Sequence, residues 1–219
     1  YTKYTESFRI NIEEILLENY LNLSIFSYTM VTIIDQTKEN FFQMIDDFGS
    51  DPYHLRPHVP EVEKWAKHLL KKFPEADAEV VLLAVWMHDL GHYPIPAEID
   101  HAIRSEKRAK EFLEKLNYPK DKMDKVLHCV RAHRCRDVMP NSIEAKIIAC
   151  ADSASHMTEP MYFDMAKNDK ENGREFRVYA KMERDYRDLS AFPEIQNELK
   201  ELYETWKKLI KIYEKIDLN

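Results

Sequence analysis

Hydrophobic residues recur along this chain every three or four positions, the spacing that lines one face of an α-helix. Residues 8–34 carry Phe8, Ile12, Ile15, Leu16, Tyr20, Leu23, Phe26, Met30 and Ile34 at mostly that spacing, on more than one face. They predict one long helix or two shorter ones. Phe41, Met44, Ile45 and Phe48 give a helix from Thr37 to Phe48, ended by Gly49-Ser50-Asp51-Pro52. Val62, Trp65, Ala66, Leu69 and Phe73 mark the next, from about Pro60, and Pro74 breaks it. Asp77 opens an unusually apolar helix over 78–90, which Gly91 stops.

After a loop at Pro94 and Pro96, Ala109, Phe112, Leu113 and Leu116 line a helix that follows Asp100. Met123, Val126, Leu127 and Val130 line another that Asp121 opens. Asn141 and Glu144 have capping-box spacing and start a helix with Ala145, Ile148, Ala151 and Asp152 near one stripe. Beyond Pro160 two more amphipathic helices are expected, roughly 174–190 and 194–217, the second with Leu199, Leu202, Trp206, Leu209 and Tyr213 inward. Nothing alternates with the period of a strand. The pattern predicts an all-α fold, a single domain over 1–219. Its core occupies 51–160, between helical extensions at 1–50 and 161–219.

Composition narrows the function. Three glycines in 219 residues disfavour a β-sandwich or a Rossmann-type fold, which spend glycine on turns and phosphate loops. A net charge of −7 argues against duplex nucleic acid as a partner. Cys129, Cys135 and Cys150 are odd in number and lack a CxxC pair, which fits a reducing, cytoplasmic setting. No apolar run approaches the roughly 20 residues needed to span a bilayer. The first residues lack the basic-then-apolar order of a signal peptide. The acidic, basic-poor flanks of the first segment also disfavour a membrane-surface helix. Packing on the domain or on a second subunit, a homodimer through the terminal helices, is the expected use.

The chemistry gathers around His88-Asp89, an imidazole and a carboxylate at the end of the most apolar helix. His58, His101, His133 and Asp152 are the other candidates, and the helical ones stand on or beside apolar stripes. A polar group facing a core must be hydrogen-bonded, paired or metal-bound. Singly, each reads as a satisfied core residue. Together, helices that each bring such a group to a common interior describe a metal site in a bundle. Imidazole and carboxylate without thiolate suit Fe, Mn, Zn, Ni or Mg, and six ligands exceed the needs of one catalytic ion. One or two divalent ions are therefore expected.

These residues resemble the HD-domain superfamily of metal-dependent phosphohydrolases. The family's first His lies about one turn before a Val-x-x-x-Ala helix, as His58 does before Val62 and Ala66. The His-Asp pair matches His88-Asp89, and the final Asp in Ala-Asp matches Ala151-Asp152, preceded by Glu144-Ala145-Lys146-Ile147. Members with dinuclear centres add two histidines, which His101 and His133 match. The resemblance implies an HD-like helical bundle with His58, His88, Asp89, His101, His133 and Asp152 as metal ligands. Many members read Gly-Lys after the His-Asp pair; this chain has Gly91-His92. A phosphate-contact or proton-transfer role for that Lys passes to His92 or is dropped.

The implied activity is phosphomonoesterase or phosphodiesterase chemistry through a metal-activated water, on a nucleotide or another small phosphorylated substrate. Asp89, His92 and Arg134 are the catalytic candidates. Arg134 lies nearer the face of His133 than Arg131 does, which makes it the better phosphate clamp; a solvated basic face is the plain alternative for both. His54 and His92 are candidate outer partners or general acids. His156 is a candidate pocket residue, and His68 and His128 are structural or exposed. Tyr93, Tyr162 and Phe163 line a pocket or belong to the core. Two other functions fit the same residues: a di-iron oxygenase of the myo-inositol-oxygenase type, and a non-catalytic metal-binding interaction module.

Overall fold

The computed structural model describes residues 31–94 and 98–216. The chain divides into two compact units, residues 1–32 and 33–219. The helices expected over 8–34 lie outside the described residues as far as residue 30. The second unit is built from helices joined by short turns, with no strand among the described residues.

Two helices are buried nearly all round and form its centre. One is α3 (Ala78–Met87), in which Val80, Val81 and every residue from Leu83 to Met87 are buried. The other is α6 (Ile143–Thr158), buried from Glu144 through Met157 at all but two positions. The amphipathic helices α1 (Ile33–Phe48), α2 (Leu55–Lys72), α4 (His101–Lys115) and α5 (Lys120–Ala132) surround them. α2 lies along α6, and α5 against α3, α4 and α6. Phe41 of α1 meets Trp86 edge to face at 5.4 Å. Each large side chain so buried contributes about 1.5–3 kcal/mol. The buried Glu63 is paired with Lys38 and Lys67 and accepts from Trp86 Nε1, joining α1, α2 and α3.

Several boundaries differ from the pattern-based reading. α2 begins at Leu55 rather than near Pro60, because Asp51 accepts from the backbone N–H groups of Leu55 and Arg56. Pro57 then falls in the first turn, where a helix has no use for an N–H. α3 ends at Met87, so His88-Asp89 occupy the turn that follows rather than the helix. Ser142, not Asn141, caps α6 by accepting from Ala145 N, and Glu144 reaches across to Asp77 N.

The C-terminal part holds two α-helices more than the pattern showed. α7 (Met161–Glu171) starts directly after Pro160, which occupies its cap position. The buried Asp169 at its end accepts from Arg177 N and the Arg177 guanidinium, which turns the chain into α8 (Val178–Asp188). The expected helix over 194–217 is two, α9 (Pro193–Glu198) and α10 (Lys200–Lys215). Tyr203 and Ile210 face inward from α10, whereas Leu209 is 43% exposed. Tyr203 stacked on Tyr186 at 4.2 Å and Trp206 Nε1 donating to Met157 O set that phase.

Candidate metal centre

These helices and the turns at their ends deliver the six candidate ligands to one place. His58 comes from the first turn of α2, and His88 and Asp89 from the turn after α3. His101 opens α4, where the Asp100 side chain accepts from Ala102 N. His133 follows the last residue of α5, and Asp152 comes from the middle of α6.

One local device fixes two of the imidazoles. His88 Nδ1 donates to Val85 O and His133 Nδ1 to Val130 O, each at 2.7 Å. A carbonyl only accepts, so the proton sits on Nδ1 and the lone pair of Nε2 points inward. His58 is oriented by Glu159, whose Oε2 is 3.2 Å from Nδ1. Its Nε2 then faces Asp152 Oδ1 at 3.2 Å.

Asp89 lies between the two groups. Its Oδ2 faces His88 Nε2 at 3.3 Å and His58 Nε2 at 3.9 Å. Its Oδ1 faces His101 Nε2 at 3.4 Å and His133 Nε2 at 3.8 Å. The donors form two triads, His58 with His88 and Asp152, and Asp89 with His101 and His133. Within each triad the donor atoms lie within 4.8 Å of one another. His88 Nε2 is fully buried and has no hydrogen-bond partner. Such an orphan is costly unless a cation completes it, and imidazole with carboxylate is a donor set for a divalent ion. The residues fit.

Electrostatics agree with that fit. Burial opposes charge on Asp89 and Asp152, yet the imidazoles hold both well below the usual carboxylate range, His88 and His92 for the first, His156 and His58 for the second. Burial likewise works against charge on His58, but Asp152 and Glu159 raise it to about 10. Asp89 raises His88 against the same opposition. Burial pushes His101 down to about 3 and His133 down to about 4.

A pocket of about 350 Å³ opens beside the second triad, lined by Tyr53, His92, Asp100, His101, Arg104 and Arg134 among others. Arg134 pairs with Asp100 at this mouth. Arg131 turns instead to Asp137 and Glu106. His92 stacks on His101 at 4.1 Å and directs Nε2 to Asp89 Oδ1 at 3.3 Å. His156 is buried against Asp152, whereas His54 and His68 are exposed, and His128 accepts from Asn141 N. Tyr93 and Tyr162 are buried, with hydroxyls donating to Asp51 and Asp185, and Phe163 packs on Tyr213.

Residues 57–157 match the family model of the HD domain. The chain contains an HD domain. No curated protein and no solved structure matches the chain. The HD domain runs from the first turn of α2 to the end of α6 and encloses all six candidate ligands. HD domains are usually metal-dependent hydrolases, and the family implies binding of a divalent ion.

Three residues of the surroundings lie beyond the HD domain and escaped the sequence reading. Glu159 just follows α6, and Lys181 and Asp185 belong to α8. Lys181 Nζ is 3.0 Å from His156 Nδ1, and Asp185 accepts from both Lys181 and Tyr162. Asp185 left a signal, since Val178, Met182, Asp185 and Leu189 form one buried stripe with a carboxylate in it. Glu159 left none. Among the described residues, no helix is long and apolar enough to cross a membrane.

Proposed function

We propose that this protein is a metal-dependent phosphohydrolase acting on a nucleotide or another small phosphate ester, with two divalent ions held by His58, His88, Asp89, His101, His133 and Asp152. The observation that carries the reading is Asp89, whose two oxygens each face a separate group of imidazoles. A carboxylate so placed suits a bridge between two ions. Divalent ions there would supply an acidified water and offset charge on phosphoryl oxygens.

The chain's own residues account for the remainder. Asp89 and Asp152 stay ionised because the imidazoles around them favour the charge. His88 and His133 are held in one tautomer by backbone carbonyls, so both reach the centre preorganised. Arg134 lines the pocket beside the second triad and retains N–H groups beyond its contact with Asp100, enough to hold a non-scissile phosphate oxygen. The pocket volume supports a small substrate over a polymer.

The test loads metal-free protein anaerobically with Fe²⁺, Mn²⁺, Zn²⁺, Ni²⁺ or Mg²⁺ and follows phosphate release from a panel of nucleotides and other phosphate esters. Turnover of at least one ester is expected, with His88→Ala and Asp89→Ala each lowering it by more than about 100-fold, beyond the loss typical of an outer partner. Oxygen uptake by the iron-loaded protein with no ester turned over would replace this reading with the oxygenase one. Failure to retain any ion would remove both.

A further inference from the structure

Helix α8 lies outside the HD domain and reaches back to the centre through His156. Asp152 Oδ1 has a neighbour besides the candidate ligands, His156 Nε2 at 3.4 Å. The His156 ring is buried and parallel to that of His58, 4.9 Å away, which fixes it beside the first triad. At its other edge, Nδ1 is 3.0 Å from the Lys181 ammonium and 3.3 Å from Asp185 Oδ2. Lys181 is held there in turn. Its Nζ donates to Asp185 Oδ1 at 2.7 Å, and the Tyr162 hydroxyl donates to Asp185 Oδ2 at 2.8 Å. Asp185 is buried, and these two donors offset the cost of burying its charge.

Only one form of the His156 ring suits both edges. An ammonium donates and never accepts, so Nδ1 beside Lys181 must carry a lone pair. A carboxylate ready to hold an ion only accepts, so Nε2 beside Asp152 must carry a proton. The opposite neutral tautomer would set N–H against ammonium at one edge and lone pair against carboxylate at the other. The doubly protonated ring would keep the first of those clashes. Asp185 does not reverse the assignment, because each of its oxygens already has a donor closer than Nδ1. A carboxylate oxygen has two lone pairs, so accepting from His156 leaves Asp152 Oδ1 one to offer an ion.

We propose that Lys181, held by Asp185, is a positioning residue for the metal centre: it occupies His156 Nδ1 and so turns the Nε2–H of His156 onto Asp152. The proposal rests on the reading of His58, His88 and Asp152 as an ion site. His58 and His88 offer lone pairs to the ion, whereas His156 offers a proton to the carboxylate that holds it. Such a partner orients a ligating carboxylate and tunes its affinity. The C-terminal extension thereby becomes part of the centre, since Lys181 and Asp185 lie outside the matched residues 57–157.

Nitrogen NMR of the full chain with isotopically labelled histidine reads the ring directly, because protonated and lone-pair nitrogens differ widely in shift. The His156 signals are those absent from His156→Gln. In metal-free wild type above neutral pH, His156 is expected with its proton on Nε2. Lys181→Met keeps most of the stem and removes the ammonium, leaving Asp185 as the acceptor at Nδ1, so the proton should move to Nδ1. The same variant should bind Zn²⁺ about 10–100-fold more weakly in a competition titration, the loss typical of an outer partner. A merely structural Lys181 would change stability without moving the proton. A wild-type proton on Nδ1 overturns the proposal, and that measurement needs no variant to fold. A proton that stays on Nε2 in Lys181→Met, or unchanged Zn²⁺ affinity there, overturns it too. A wild type that holds no Zn²⁺ removes the ion-site reading and the proposal with it, an outcome distinct from Zn²⁺ bound with no effect of Lys181.

Discussion

Gly91 matters for the side chain it lacks. A Cβ there would lie 2.2 Å from His101 O and 2.6 Å from Ser105 N, and both are backbone atoms that cannot swing aside. Gly91 N donates to Ser105 Oγ at 2.8 Å, which clamps the first turn of α4 against the turn carrying His88 and Asp89. The sequence reading took Gly91 as the stop of a helix, but that helix has already ended at Met87. Gly91→Ala should push the start of α4 outward and His101 with it. The expected cost is about 1–3 kcal/mol in urea unfolding, together with weakened metal uptake on the His101 side by titration. The six candidate ligands were legible because each stood on or beside an apolar stripe or in a recognisable motif. Glu159 was not, because its partner His58 lies 101 residues away and no local pattern encodes the pairing.

Elements were legible in proportion to their apolar content. α3 announces itself by an unbroken apolar run, and α1, α4 and α5 by clean stripes. α7 was missed because its buried face is only Tyr162, Ala166 and Asp169, behind a proline that reads as a break. The start of α6 was misplaced by one residue, since Asn141 and Ser142 are both good caps and the capping-box spacing favoured the first. Geometry selects the second, with Ser142 Oγ 3.1 Å from Ala145 N. Ser142→Ala should therefore cost about 0.5–2 kcal/mol in a denaturation experiment. Asn141→Ala should stay within about 0.5 kcal/mol of wild type. Glu144, freed from the box, joins the start of α6 to the start of α3 through Asp77 N, and Asp77 in turn caps α3.

At the scale of the molecule, the centre makes stability depend on pH in both directions when no ion is bound. His101 and His133 sit in the fold with pKa values lowered to about 3 and about 4, against about 6.5 in an unfolded chain. Their contribution is full above about 6.5 and is lost as pH falls towards 4, where the unfolded chain gains protons that the fold refuses. His58 is the reverse, raised to about 10. Its contribution is full below about 6.5 and is lost as pH rises through 10. Metal-free protein should thus show a maximum in melting temperature near pH 6.5 with a fall on each side. Metal binding needs His58 neutral, so loading should release protons near neutral pH and flatten the alkaline limb, which calorimetry in buffers of different ionisation enthalpy measures.

The contact of Asp152 with His58 joins the middle of α6 to the first turn of α2, with three helices between them in the chain. His58 and His88 are made early in synthesis and wait, incomplete, until α6 has formed and docked. Such long-range closure carries a large chain-entropy cost and is expected late in folding. Ions that need the finished cage should therefore leave the speed of folding almost untouched, which stopped-flow refolding with and without metal measures. They act on lifetime, since opening the cage means releasing them first.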